Sequence, residues 1–263
     1  MGAQTRQSLD QARTLLAGRS ALGLPLAENL FAAALGLSGS PALRSALSDS
    51  ASEASTRKNL AAQAFASLST DAKQVIDGLV SMRWSRAEDL QGALEDLGIR
   101  VCSGSADAKT DLVGELLAIS SLVHSNAELE LGLGSKRASA QARANLMGSL
   151  LGTKVSGEAL AIARHLVSDP RGRRIGAMLQ SAAVTVADHH GKGLAVVSVA
   201  KSLSSAQREN VSKLLRKNYG RDHYVAEVQN PDVIGGMKIR VGNDVIDGSI
   251  QARLQDLRTQ LAG

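Results

Sequence analysis

The stretch NPDVIGGMKIRVGNDVIDGS, residues 230–249, decides how the C-terminal part of this chain folds. Met237, Ile239 and Val241 alternate with Lys238 and Arg240, the period of a half-buried strand. Gly242-Asn243-Asp244 reads as a turn into Val245-Ile246, so a hairpin is expected. Gly235 and Gly236 stand at the strand entry, where a positive φ or a bulge would exclude a side chain. Gly248 suits a tight turn, Asp247 can bond backbone donors there, and Ser249 is placed to cap a last helix. Along that helix Ile250, Leu254, Leu257 and Leu261 form one apolar stripe.

Working upstream, Tyr224 to Val228 is a candidate strand, and Leu194 to Ala200 is a β-branched apolar run of strand length. Between them Ser204 and Gln207 have capping-box spacing, ahead of a helix that Gly220 ends. The tail, 191–263, is therefore expected to be a small α+β domain. Before it the period is helical. Ser69 is a fair N-cap for the face Val75, Ile76, Leu79 and Val80. Ser85 and Glu88 have capping-box spacing, and Asp169-Pro170 stops a helix carrying Leu160, Ala163, Leu166 and Val167.

These helices repeat. Phe31 and Leu117, Leu43 and Leu129, Arg57 and Arg143, Asn59 and Asn145, and Leu60 and Leu146 are each 86 residues apart, and Leu94 and Leu179 are 85 apart. Matched Asn and Arg positions at one offset favour duplication over chance likeness of Leu/Ala-rich helices. The fold class expected is mainly α: a helical bundle over 1–110, a second over 111–190, then a short sheet with two helices.

Composition narrows the chemistry. The chain has 263 residues and 2% aromatics, namely Phe31, Phe65, Trp84, Tyr219 and Tyr224, too few for a base-stacking platform. Cys102 is the single cysteine and cannot form an internal disulfide; its Gly/Ser-rich surroundings read as a linker. The formal charge is +5, and counting by segment gives 0 for 1–109, +1 for 110–189 and +4 for 190–263. The signs are mixed, so this reads as a solvated face rather than a nucleic-acid patch. Asp188-His189-His190 reads as a solvated turn, and Arg171, Arg173 and Arg174 as a solvated basic face rather than an anion clamp. There is no phosphate loop, nucleophile elbow, zinc spacing or acid/base pair. No catalytic residue, metal or cofactor is expected, nor a signal peptide or spanning segment.

The C-terminal string resembles the signature of the delta subunits of F-type ATP synthases, the bacterial counterparts of the oligomycin-sensitivity-conferring protein. The residues that carry the likeness are Ile234-Gly235-Gly236, Val241-Gly242-Asn243-Asp244, Val245-Ile246-Asp247-Gly248-Ser249 and Arg253-Leu254 with Leu257. The family's acidic residue after Gly242 is displaced to Asp244. SLSSAQRENVSKLLRKNYG, residues 202–220, is similar to the family helix before the signature. Roughly 112–263 resembles a whole short delta subunit apart from its first helix. Residues 1–110 resemble the duplicated helical region of longer forms, which can be fused to a b-like membrane segment. No such segment is present, so separate b subunits are expected.

The resemblance implies a non-catalytic stator subunit at the cytoplasmic face of the bacterial membrane, held there through partners. Its helical domain would receive the amphipathic N-terminal helices of alpha subunits, with Leu116, Ile119, Leu160, Ala163 and Val167 as the expected groove. Its C-terminal domain would grip the b subunits, with Ile250, Leu254, Leu257 and Leu261 as the expected contact. Gly235, Gly236, Gly242, Asp247, Gly248 and Ser249 would define the fold. The extra copy would supply a second stator contact. The competing class is a basic RNA- or ribosome-associated module, against which the low aromatic content and the signature both count.

Overall fold

The computed structural model describes residues 2–16, 23–135, 137–229 and 235–251, and among them are twelve α-helices and four β-strands. The chain divides into two compact units, Met1–Val186 and Ala187–Gly263. The first is helical: α1 (Ala3–Thr14), α2 (Leu24–Gly39), α3 (Pro41–Ser48), α4 (Ala54–Ala64), α5 (Thr70–Ser81), α6 (Ala87–Ser105), α7 (Leu112–His124), α8 (Ala127–Gly134), α9 (Ala140–Leu151), α10 (Gly157–Ser168) and most of α11 (Ile175–His189).

Short polar side chains start these helices. Ser40, Ser69, Asp111, Asn126, Ser139 and Ser156 each accept a hydrogen bond from a backbone N–H of the first turn. At α6 the expected Ser85/Glu88 box is not the one formed. Asp89 accepts from the Arg86 N–H at 3.1 Å and from the Thr5 hydroxyl at 2.6 Å, while Ser85 Oγ accepts from the Thr5 N–H. The cap is recruited into a tertiary contact with α1.

Burial reproduces the duplication residue by residue. Leu47 and Leu133 are both fully buried, 86 apart. Arg57 and Ala61 on α4 correspond at the same offset to Arg143 and Met147 on α9, and all four are buried. The buried face of α5, Ala72, Val75, Ile76, Leu79 and Val80, becomes Ala159, Ile162, Ala163, Leu166 and Val167 at an offset of 87. Buried Leu90, Ala93, Leu94, Leu97 and Val101 of α6 lie 85 after Thr5, Ser8, Leu9, Ala12 and Leu16. They lie 85 before Ile175, Met178, Leu179, Ala182 and Val186, which are buried too.

α6 is thus the sixth helix of the first copy and the first helix of the second. It has the burial of a helix used twice: Asp89, Gln91, Ile99, Arg100 and Ser103 are buried as well. At the place of Ile99, 4% exposed, α11 carries Val184, 47% exposed. The bundles expected over 1–110 and 111–190 therefore do not separate near residue 110, because α2 and α6 both pack on α10. Cys102 is not in a linker but inside α6, fully buried.

The second unit holds β1 (Gly193–Val199), α12 (Ser205–Tyr219), β2 (His223–Gln229), β3 (Met237–Val241) and β4 (Asp244–Asp247). The sheet order is β2-β1-β3-β4; β1 and β2 are parallel across α12, and the other pairs are antiparallel. Val211 and Leu215 of α12 pack on Ala195, Val197, Val199 and Ile239. The Ser204/Gln207 capping box forms as expected, and Gly220 ends α12 at φ 69°.

Candidate functional site

The helical unit and the α+β unit each carry one candidate. Among the described residues no group of His, Cys, Asp or Glu could hold a metal ion.

In the helical unit the candidate is the seam between the copies. Phe31 of α2 stacks on His165 of α10, ring centroids 4.3 Å apart and 11° from parallel. Gly98 of α6 lies under the Phe31 ring, where a Cβ would collide with it. A polar network closes the seam. Asp169, after α10, accepts from Ser38 Oγ at 2.9 Å and from Gln91 Nε2 at 2.6 Å. Glu95 of α6 accepts from Arg171, and from Arg173 at 2.9 and 3.1 Å, and lies 3.4 Å from His165 Nε2.

Burial works to raise the pKa of Glu95, but His165, Arg173 and Arg171 outweigh it and hold the carboxyl well below the usual range. The basic cluster read as a solvated face is therefore in part an intramolecular clamp: Arg171 and Arg173 grip the Glu95 carboxylate of the shared helix α6. Beside this network the outer faces of α2 and α10 leave a groove lined by Leu24, Glu28, Ala32, Leu35, Leu160, Ala161 and Arg164.

Of the expected groove residues, only Leu160 is there. Leu116, Ile119, Ala163 and Val167 are at most 2% exposed and belong to the core. An apolar helical position serves the interior before it serves a partner, and sequence spacing does not separate the two. The sequence marks Phe31 as a repeat position and as one of few aromatics, and it places His165 in no motif. Its signal was a histidine on an apolar helix face, which calls for a stacking or charged neighbour.

In the α+β unit Gly235, Gly236, Asp247, Gly248 and Ser249 lie close together, and Gly242 stands apart at the other end of β3. Gly236 has φ 81°, and a Cβ there would collide with the Gly248 carbonyl and the Ser249 Cα. Gly248 N–H donates to the Met237 carbonyl at 2.9 Å, and Ile250 N–H to the Gly235 carbonyl at 3.0 Å. Asp247 Oδ1 accepts from the Ser249 N–H at 3.0 Å. The Ser249 hydroxyl and N–H, with Lys238, hold Asp247 below the ordinary carboxylate range. Gly242, at φ 58°, opens the two-residue β3–β4 loop, while Asn243 is not left-handed, the pattern of a II′ hairpin.

Ile250 is half exposed, and its Cδ1 lies 2.6 Å from where a Gly235 Cβ would stand. Leu254, Leu257 and Leu261 lie outside the described residues, as does the helix beyond Gln251 that Ser249 is expected to cap.

Residues 101–261 match the family described as ATP synthase delta (OSCP) subunit. The chain is 41% identical to the ATP synthase subunit delta of Leifsonia xyli subsp. xyli, covering all of both chains. It is 34% identical to that of Streptomyces avermitilis over 90% of this chain and 88% of the relative. A chain in the cryo-EM structure of the Toxoplasma gondii mitochondrial ATP synthase hexamer matches at 16% identity and a TM-score of 0.37, with 64% of this chain and 96% of that one covered.

Proposed function

The chain belongs to the ATP synthase delta (OSCP) family, and from that premise we propose that it is a non-catalytic stator part that ties the catalytic head to the peripheral stalk. The observation that carries this reading is the match along the whole length with relatives named ATP synthase subunit delta. Held by such a link, the head cannot turn with the rotor, and proton flow is converted into ATP synthesis.

The helical unit is the end that receives the amphipathic N-terminal helices of alpha subunits, by helix-in-groove recognition. The α+β unit is the end that meets the b subunits, and its basic balance suits an acidic coiled partner. No helix among the described residues is long and apolar enough to cross a membrane, so attachment at the cytoplasmic face runs through these partners. Packing supports a mechanical role: helices joined by a shared, largely buried α6 transmit load without a flexible joint between the copies. The first copy adds a second stator contact.

The test is a pull-down of the tagged chain from detergent-solubilised membranes of its source, with bound proteins identified by mass. Alpha, beta and b chains are expected. Ribosomal proteins or RNA in their place would overturn the reading.

A further inference from the structure

A cleft of about 450 Å³ lies between α1 and α11, over α6. Leu9 and Arg13 of α1 form one wall, Met178 and Ala182 of α11 the other, and Gly92 and Ile99 of α6 lie between them. Arg86, at the start of α6, and Arg171 and Arg173, between α10 and α11, complete it. The volume is that of a small-molecule site.

Four arginines and four acids line the cleft, and they cancel in number but not in depth. The side chains of Asp89, Glu95 and Asp96 are 6%, 12% and 19% exposed, whereas those of Arg171, Arg13, Arg173 and Arg86 are 24%, 39%, 41% and 68% exposed. The carboxylates are sunk and the guanidiniums stand over them, so the cleft presents positive charge outward. Glu88 is the open acid of the set, and it leans toward Arg44 at 3.6 Å.

The arginines also keep donors in hand. Arg173 uses its N–H groups on Glu95 and the Pro170 carbonyl. Arg13 Nε is buried with no hydrogen bond among the described residues. The Arg86 side chain gives Nη2 to Asp89, and Arg171 gives Nη2 to Glu95 and turns Nε toward Asp169, which leaves Nη1 of both unassigned. Arg86 and Arg171 are repeat counterparts, 85 apart, so the duplication brings one arginine twice to one cleft. Planar forks arriving from three elements suit an anion with several charged oxygens.

Gly92 keeps the space open. It stands inside α6, where glycine weakens a helix relative to alanine, and a Cβ there would meet nothing within 4 Å. Its counterparts 85 residues away on α1 and α11 are Gln7 and Ala177. The repeat accepts a side chain at this place, and it is missing where the cleft needs room.

We propose that the α1/α11 cleft binds a nucleotide-sized organic diphosphate, its phosphates on Arg13, Arg86 and Arg171 and its apolar body against Leu9, Ile99 and Met178. The proposal goes beyond the stator reading and does not depend on it.

The test is a calorimetric titration of the full chain with ADP and with inorganic pyrophosphate, both without added metal. ADP is expected to bind, and to bind several-fold tighter than pyrophosphate, which leaves the apolar wall uncovered. Arg13→Gln and Arg86→Gln are each expected to weaken ADP several-fold. Gly92→Leu fills the cleft without changing charge and is expected to weaken it about tenfold or more; leucine is the better helix former, so α6 is kept. Arg216→Gln, on an exposed arginine of α12, is expected to change it less than about twofold. Thermal transitions check that each variant remains folded. Wild-type affinity in Gly92→Leu puts the anion elsewhere and overturns the site. Equal weakening by Arg216→Gln reduces binding to overall charge and overturns it too, as does pyrophosphate binding as tight as ADP, or no ADP binding by the wild type. Each of these results leaves the stator reading standing.

Discussion

Arg143 shows how much one buried side chain can organise. Its guanidinium donates to the carbonyls of Ser135, Ala138, Val167 and Ser168, so it holds the loop before α9 and the end of α10 together. Arg57, its counterpart, reaches the carbonyl of Met82 just past α5. Arg143→Ala leaves several buried acceptors unpaired and is expected to destabilise by about 3 kcal/mol, with Arg57→Ala costing about half that, both read from urea midpoints. Glu95 gives a pH signature. Its folded-state pKa lies below the ordinary 4.5, so the native chain binds fewer protons than the unfolded one in the acid range. The stability it contributes is complete above about pH 4.5 and is lost as pH falls toward the depressed value. The gap between wild type and Glu95→Gln is expected to be flat near neutrality and to shrink below pH 4.5. A wild-type advantage that grows in acid would contradict the clamp. In the second unit Gly236→Ala combines a positive φ with a backbone collision and is expected to cost about 2 kcal/mol or more by the same assay.

At the scale of elements, α6 is the piece most exposed to test. Cys102 is enclosed there; burial first, then the charges of Glu158 and Glu28, push its thiol well above the ordinary range. Native protein is expected to resist iodoacetamide and to label only at the rate at which the helical unit opens. Gly98→Ala would press a methyl into the Phe31 ring and disturb its stack on His165, at a cost of about 1–3 kcal/mol. This is also the scale at which sequence reading divides. The strands, the hairpin, the Ser204/Gln207 cap and the stop at Asp169-Pro170 were legible, because each depends on neighbours in the chain. The cap of α6 was not, because Thr5 competes for Asp89 from 84 residues away. Nor was the open groove between α2 and α10. Periodicity marks an apolar face of α7 and α10, but which apolar residues stay open depends on what the other copy covers. The signature glycines were legible as turn formers, while the collision of Gly236 with Gly248 needed the folded chain.

For the whole molecule, the shared helix changes how the chain can be cut. A deletion of 1–105 removes α6 and with it the first helix of the second copy. A deletion of 1–86 keeps α6 to α11 together. The shorter deletion is expected to retain a cooperative thermal transition, and the longer one to lose most helical ellipticity from the remaining bundle. Equal behaviour of the two would show that α6 is dispensable to the second copy. The same geometry bears on how such a protein changes over time. A residue on α6 answers to two sets of neighbours at once, so a substitution there has to satisfy both halves of the molecule in a single step. Drift should therefore be slowest in the middle of the chain, and the two halves cannot come apart as separate heritable modules without first making a second copy of that one helix.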